Sequence, residues 1–536
     1  MSSSFLLHHH LINAAKRFPE KSAAVFGDQS LSYRELDKMT NQVAELLESN
    51  GIGVGDRVGI YVSKSLASIV SIFGILKSGA AYVPLDPGAP LQRLAYIIED
   101  SKITSLLTSS AKLSNLEAMF PNDSPLSTVA LIDCDAQNNV SNSQYAGNTK
   151  WKVIDWNTIT SLPADESRKD AAIETDTAYI LYTSGSTGTP KGVMISHRNS
   201  LTFVDAAAEI VGLTSEDRVS SHAPIHFDLS TFDIFSSCKA GAATILVPET
   251  ASTFPVNLVK LIERERITTW YSVPSVLSLM VIYGSLSAHD LSSLRTIIFA
   301  GEVFPAKYLQ KLITLLPKVR YLNWYGPTET NVCTWYEVLQ RDQERITPVP
   351  IGKPWPNIDV FAVNDAGEKV KKLGEMGELY VRGPSVMQGY WNDPQKTAKV
   401  LLENPFNNKS RELVYKTGDI VSLDSDGNYV YLGRRDGMIK TRGYRVELGE
   451  IESVLYTHHG IKEVAVLAVP DELIGSRLHL VVSPVDGSLK REEVLAYCNQ
   501  RLPHYMVPES VEFLETLPKT STGKIDRVAL AKSFSK

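Results

Sequence analysis

Tyr182-Thr183-Ser184-Gly185-Ser186-Thr187-Gly188-Thr189-Pro190-Lys191-Gly192 decides how the chain is to be read. The segment follows an apolar run, Ala178 to Leu181, that predicts a strand leading into a tight loop. Gly185 and Gly188 permit sharp backbone turns, while hydroxyls and free backbone N–H groups can surround phosphate oxygens. Lys191 adds a cation. A flexible Gly/Ser surface turn has a similar composition, but it has no reason to sit between a strand and Pro190-Lys191-Gly192. The loop is not a Walker loop either, because Lys191 is followed by Gly192 instead of Ser or Thr and the glycine spacing differs. A P-loop kinase or GTPase is therefore disfavoured.

Around this loop the chain is long enough for more than one core, since 536 residues predict at least two folding units. Charged residues make up 21% of the chain and the formal net charge is -6, with acids and bases interleaved. No cationic stripe results, and no nucleic-acid partner is expected. Cys134, Cys238, Cys333 and Cys498 lie far apart without Cys-x-x-Cys spacing, which predicts free thiols in a reducing cytosol. The longest apolar run, Leu66 to Leu76, falls well short of the roughly 20 residues that span a bilayer and reads as a buried helix. Leu11 to Ala15 reads as the start of an amphipathic helix, not as a signal peptide, so no membrane partner and a cytoplasmic location are expected. The triplet His8-His9-His10 is expected to be surface polarity, not a metal site.

The first part of the chain alternates a helix over Tyr33 to Glu48, a strand at Arg57 to Tyr61, a helix over Ala67 to Lys77 and the extended run Ala81 to Leu85. Such alternation predicts layered α/β architecture. Asp133 to Lys150, rich in Asn, Ser and Gly, predicts a surface insertion. From Gly377 the pattern becomes strand-rich, with Glu378 to Val381 and Tyr429 to Leu432 separated by turn residues, and the polar run Gly433 to Gly437 suits a domain hinge. Beyond it, a helix beginning at Ile451, strands at Val464 to Val469 and Leu478 to Val482, and an amphipathic helix over Arg491 to Arg501 predict a compact α+β unit. The expected fold is α/β: a large N-terminal domain over 1–435, with layered α/β subdomains and a β-rich subdomain, followed by a small mobile C-terminal α+β domain over 436–536.

Three further segments share the order and spacing of one family. They are Leu31-Ser32-Tyr33-Arg34-Glu35-Leu36, then Leu76-Lys77-Ser78-Gly79-Ala80-Ala81-Tyr82-Val83-Pro84-Leu85-Asp86-Pro87, and near the end Thr522-Gly523-Lys524-Ile525-Asp526. With the phosphate loop, the chain resembles over nearly its whole length the adenylate-forming superfamily of acyl-CoA synthetases, firefly luciferase and the adenylation domains of nonribosomal peptide synthetases. The resemblance implies a ligase that uses ATP and Mg2+, with Thr183 to Gly188 and Lys191 at the phosphates. In Asn323-Trp324-Tyr325-Gly326-Pro327-Thr328-Glu329-Thr330 it implies that Tyr325 stacks on adenine, Asn323 hydrogen-bonds the adenine edge, Gly326 forms the turn, Thr328 meets the α-phosphate and Glu329 ligates Mg2+. A hard cation of this kind takes one or two carboxylate oxygens together with phosphate and water. Ala300-Gly301-Glu302 resembles the segment whose backbone passes along the adenine, where a side chain at Gly301 would intrude. Asp419 matches the carboxylate that takes both ribose hydroxyls, and an ionised acceptor suits two donors. Tyr431 and Arg434 are expected along the same ribose.

The family works in two half-reactions. In the first, the substrate carboxylate attacks the α-phosphorus and pyrophosphate leaves, and Lys524 matches the lysine that offsets charge on the bridging and leaving oxygens. In the second, a phosphopantetheine thiol attacks the acyl-adenylate and AMP leaves, after the small domain has swung about a hinge that Asp436 fits. Lys440 to Arg445 then fits the loop that replaces Lys524, with Gly443 allowing close approach of the thiol arm. Isolated lysines are usually solvated surface charges; the motif context sets these two apart.

Phe227-Asp228-Leu229-Ser230 discriminates within the superfamily. Asp228 matches the carboxylate that pairs with a substrate α-amino group, which a fatty acyl ligase would not need, and breaking such a buried pair costs roughly 3–5 kcal/mol. A helix N-cap is the plain reading of the same residue. Carrying the family's pocket over by motif gives, beside Phe227, the residues Asp228, Leu229 and Phe232, then Tyr271, Ile298 and Ala300, then Trp324, Val332 and Cys333, and finally Lys524. Between its charged ends this lining is uncharged and mostly bulky. The order of types is similar to that of stand-alone L-prolyl carrier-protein ligases, such as those of pyrrole and anatoxin-type alkaloid pathways, with Trp324 larger than expected. L-proline is the expected substrate, with valine, alanine and ring homologues of proline next, because one methylene discriminates by only about 1–3 kcal/mol. The chain ends twelve residues after Lys524 and holds no Gly-Gly-x-Ser of the kind that carries phosphopantetheine, so a separate carrier protein is the expected acceptor. An acyl-CoA synthetase for a small carboxylic acid and a luciferase-like oxygenase are the competing enzymes, and Asp228 speaks against both. A non-catalytic protein on the same scaffold is opposed by the joint presence of Lys191, Glu329, Asp419, Lys440 and Lys524.

Overall fold

A computed structural model describes residues 4–133, 150–165, 168–185, 189–252, 254–435, 438–519 and 525–534. The insertion expected over Asp133 to Lys150 lies, apart from its two ends, outside the described residues, as does Cys134.

Among the described residues, an eight-stranded sheet runs in the order Gly389–Tyr390, Lys191–Ser196, Thr177–Thr183, Ala81–Pro84, Arg57–Tyr61, Ser105–Thr108, Thr128–Leu131 and Lys152–Ile154. It is parallel from Thr177–Thr183 onward. At its other end Thr177–Thr183 pairs antiparallel with Lys191–Ser196, so the phosphate loop is the connection of a hairpin. A nine-stranded sheet includes Arg218–Ser221, Thr269–Ser272, Thr296–Ala300 and Arg320–Tyr325 as consecutive parallel neighbours. Their carboxyl ends bring Tyr271, Ala300 and Tyr325 side by side, the place where open parallel sheets bind ligands.

The helix Leu66–Lys77 touches strands of both sheets. All twelve of its residues are buried, as expected of a helix that is apolar all round. Its Lys77 ammonium is compensated by Asp37 at 2.6 Å and Asn41 at 2.7 Å. The helix Tyr33–Ser49 starts at a capping box in which Ser32 Oγ accepts from the Glu35 N–H and Glu35 accepts from the Ser32 N–H.

A smaller antiparallel sheet, Asp359–Val363, Met376–Arg382, Leu413–Leu423 and Leu401–Glu403 with Tyr429–Arg434, forms the β-rich subdomain. The C-terminal unit comprises the hairpin Ile439–Thr441/Tyr444–Val446, a three-stranded sheet (Ile461–Asp471, Gly475–Pro484, Ser510–Phe513) and the helices Leu448–Leu455, Arg491–Arg501 and Arg527–Phe534. Val446, Ile451, Val464, Leu480, Val494 and Cys498 share its own apolar core.

Two expectations need correction. The helix read as beginning at Ile451 begins at Leu448 and ends at Leu455, because Gly449 disguises its first turn. The triplet His8-His9-His10 is not surface polarity: His8 and His10 are 2% and 4% exposed. The helix His9–Arg17 docks so that His8 Nε2 and His9 Nε2 lie 2.7 and 2.8 Å from the Asp170 carboxylate, and His10 Nε2 lies 3.3 Å from Asp205. Cys238, Cys333 and Cys498 are free and buried. No helix among the described residues is long and apolar enough to cross a membrane.

Candidate active site

One cavity gathers the carboxyl ends of both large sheets and the hairpin of the C-terminal unit. Its wall includes Thr183, Ser184, Phe227, Asp228, Leu229 and Tyr271 from the large domain. Ala300, Gly301, Gly326, Thr328, Val332 and Asp419 continue it, and Arg434, Lys440, Gly443, Tyr444 and Arg445 close it.

Asp228 sits in a tight turn. The Thr231 N–H and hydroxyl donate to the Asp228 backbone carbonyl at 3.1 and 2.6 Å, and the short π-helix Phe232–Ser236 begins after Thr231. That π-helix has no side-chain cap, and the Asp228 carboxylate accepts from Thr328 and from the Leu229 N–H. Burial pushes its pKa up, while a hydrogen bond from Thr328 and the nearby Lys440 ammonium pull it down. Phe227 packs edge-on against Tyr444 at 4.8 Å, and Tyr444 stacks on Tyr505, so aromatic rings of the C-terminal unit cover the turn.

The pocket residues carried over by motif separate into two layers. Asp228, Leu229, Tyr271, Ala300 and Val332 line the cavity. Phe232, Ile298, Trp324 and Cys333 are at most 1% exposed and lie behind that lining, not on it. The reason is volume: the Trp324 ring is boxed by Phe203, Phe232, Tyr271 and Trp355, each edge-on at 5.1 to 5.8 Å. Such a cluster fills its own space.

Glu329 is fully buried and surrounded by donors. Arg445 Nη1 reaches both carboxylate oxygens at 2.9 and 3.0 Å, Lys191 Nζ lies at 3.2 Å, and the Tyr390 hydroxyl donates at 2.7 Å. Burial alone would raise the Glu329 pKa, but Arg445 and Lys191 hold the carboxyl well below its usual range. Burial brings Lys191 down to about 8. Asp419 accepts from Arg434 Nη1 at 2.7 Å and from the Tyr325 hydroxyl. Tyr431 lies 6.1 Å from the Tyr325 ring, and Lys440 Nζ lies 5.9 Å from its centroid. Burial pushes the Lys440 ammonium below its ordinary pKa. Asn323 donates to the Pro350 carbonyl at 2.8 Å.

Gly301 and Gly443 face each other across Val273, with φ of +93° and +81°. A Cβ on Gly443 would stand 2.3 Å from Val273 Cγ1. Glu302 clamps this contact, accepting from the Gly443 N–H at 2.6 Å and the Ser275 N–H at 3.0 Å. Ser184 Oγ donates to the Arg445 carbonyl at 2.7 Å, and the Gly185 N–H donates to Glu450, which also pairs with Arg93. Ser186, Thr187, Gly188, Asp436 and Lys524 lie outside the described residues.

Two participants were not legible in the sequence. Tyr390 stands in none of the motifs that carry the resemblance. The side chain of Arg445 belongs to a segment read as a loop for the thiol, and nothing in that segment announces a carboxylate partner.

The model of the AMP-binding enzyme family matches residues 11–391, and that of the AMP-binding enzyme C-terminal domain matches residues 450–524. An L-proline--[L-prolyl-carrier protein] ligase of Pseudomonas fluorescens is 39% identical over 98% of this chain and 99% of its own length. A protein of the same name from Streptomyces coelicolor is also 39% identical, over 94% of this chain and 92% of its own. Among solved structures, the Vibrio cholerae adenylation domain AlmE in complex with glycyl-adenosine-5'-phosphate superposes with a TM-score of 0.86 at 26% identity, covering 100% of this chain and 98% of that one.

Proposed function

The chain belongs to the AMP-binding enzyme family, and from that premise we propose that it is an ATP-dependent ligase that activates a small apolar amino acid, L-proline before any other, and loads it onto the phosphopantetheine thiol of a separate carrier protein. The observation that carries the reading is the half-buried Asp228 carboxyl, which faces the cavity between the apolar Phe227, Leu229, Tyr271, Ala300 and Val332 and the strand that leads into the phosphate loop. The two relatives at 39% identity, both named L-prolyl-carrier protein ligases, support the choice of proline.

In the first half-reaction a carboxylate oxygen of the amino acid bonds to the α-phosphorus of ATP and the bond to pyrophosphate breaks. Asp228 pairs with the substrate ammonium and so aims the carboxylate, with Thr328 holding the Asp228 side chain. Tyr325 offers its ring to the adenine, and Asp419, aligned by Arg434, takes the ribose hydroxyls. Lys524 neutralises the charge that develops on the oxygens. Mg2+ belongs to the same reading: Glu329 is an ionised, buried hard-oxygen donor whose charge already calls for two cationic partners, and the ion would supply charge neutralisation at the phosphates. In the second half-reaction the thiolate sulfur bonds to the acyl carbon and the bond to AMP breaks, with Lys440 beside the nucleotide and Gly443 giving the thiol arm room. A hinge at Asp436 between residues 1–435 and 436–536, and a cytoplasmic location, complete the reading.

Exchange of labelled pyrophosphate into ATP, run with all twenty amino acids and with hexanoate and benzoate, tests it. Proline should give the largest response. A best response to hexanoate or benzoate would overturn the role of Asp228, whereas a best response to valine would correct only the pocket.

A further inference from the structure

The start of the phosphate loop is held by a carboxylate of the protein itself. Glu450 stands in the first turn of the helix Leu448–Leu455 of the C-terminal unit, and its side chain is 1% exposed. Its Oε2 accepts from the Gly185 N–H at 3.2 Å, and its Oε1 pairs with Arg93 of the helix Leu91–Asp100 in the large domain. Beside this contact Ser184 Oγ donates to the Arg445 carbonyl at 2.7 Å. Two donors of the loop, a hydroxyl and a backbone N–H, are thus both spent on the C-terminal unit.

Backbone N–H groups in a turn of this kind bind anions, and a carboxylate is an anion that the chain can supply. A buried charge holds its place only while it is paired. Arg93 meets that need, because its guanidinium both fixes the Glu450 side chain and offsets its charge. The Gly185 N–H and the space before it cannot serve Glu450 and a phosphate oxygen together. We propose that Glu450 is an internal competitor of the ATP triphosphate: held by Arg93, it takes the loop donors that the outer phosphates would use and so positions the C-terminal unit for the second half-reaction. The inference rests on the adenylation reading for the two steps, but the competition can be measured without turnover. AMP carries only the phosphate assigned to Thr328, so it escapes the competition. Glu450 and Arg93 act on the placement of the unit and not on the bonds that form or break.

The test uses the full chain with Glu450→Gln and, separately, Arg93→Gln/Glu450→Gln, which removes the pair without leaving a lone charge; circular dichroism checks that each is folded. The probe is α,β-methylene-ATP with Mg2+, which cannot release pyrophosphate, titrated calorimetrically without amino acid. Both variants should bind it about fivefold more tightly than the wild type, the low end of a coupling between two sites. AMP should bind all three proteins equally. Transfer of proline from supplied prolyl-adenylate to a holo carrier protein should slow by at least the same factor, because the seated arrangement is populated less. A carboxylate with a merely structural role would not move the two readouts in opposite directions. Unchanged or weaker binding of the triphosphate in either variant overturns the proposal, and so does an equal tightening of AMP, which would make Glu450 part of a general field at the nucleotide. Undiminished transfer overturns it as well. Absence of exchange with any acid would defeat the adenylation reading instead, and the titrations would still decide the competition.

Discussion

Asp228 titrates in a way that can be used. Its pKa is raised, chiefly by burial, and an ammonium partner binds only the ionised form. Affinity for proline should therefore improve with rising pH through a window that extends above the ordinary aspartate value of about 3.9. The KM for proline in exchange, measured across that window, should fall with pH in the wild type and stay flat in Asp228→Asn. Asp228→Ala should lower kcat/KM for proline by two to three orders of magnitude, roughly the 3–5 kcal/mol of a broken buried pair. At this scale the sequence announced chemistry better than depth. The motif positions around Phe232, Ile298, Trp324 and Cys333 point to the pocket's neighbourhood, but only packing shows that an aromatic box sets Phe232 and Trp324 one layer back. Arg445 lies 116 residues from Glu329 and Tyr390 lies 61 away, so no local pattern could join them.

Among the elements, periodic segments were read closely: the strand Arg57–Tyr61 and the helix Arg491–Arg501 have the bounds that their patterns suggest. Where a glycine interrupts the pattern, as at Gly449, the helix start was missed. The hairpin Ile439–Val446 is the element proposed to serve the second half-reaction, and its glycine is fixed by geometry. With φ at +81° and Val273 2.3 Å from a would-be Cβ, Gly443→Ala incurs the roughly 1–2 kcal/mol of a left-handed residue together with a steric clash. The hairpin should then seat poorly. Single-turnover loading of a holo carrier protein should drop at least about tenfold, while amino-acid-dependent exchange should be nearly unaffected. Equal losses in both assays would remove the hairpin from the second step.

Across the whole molecule, a two-unit α/β chain with a β-rich subdomain and a small α+β end was legible from alternation of helix and strand patterns. The face that the small unit turns toward the large one was not, because it depends on pairs such as Arg93 with Glu450, 357 residues apart. In the arrangement described, the face bearing Lys440, Gly443 and Arg445 is the one applied to the cavity. Lys524 is assigned to the other step, so Lys524→Ala should suppress exchange yet leave thioester formation from supplied acyl-adenylate largely intact, as read by carrier acylation. The contact of Arg445 with Glu329 adds a constraint on the order of events. Lys191 and Arg445 both pair with this carboxylate, and Arg445 belongs to the unit proposed to move. Were Mg2+ held by Glu329, it and Arg445 would compete for one carboxylate, so the proposed second step would require the ion to have left before the hairpin seats.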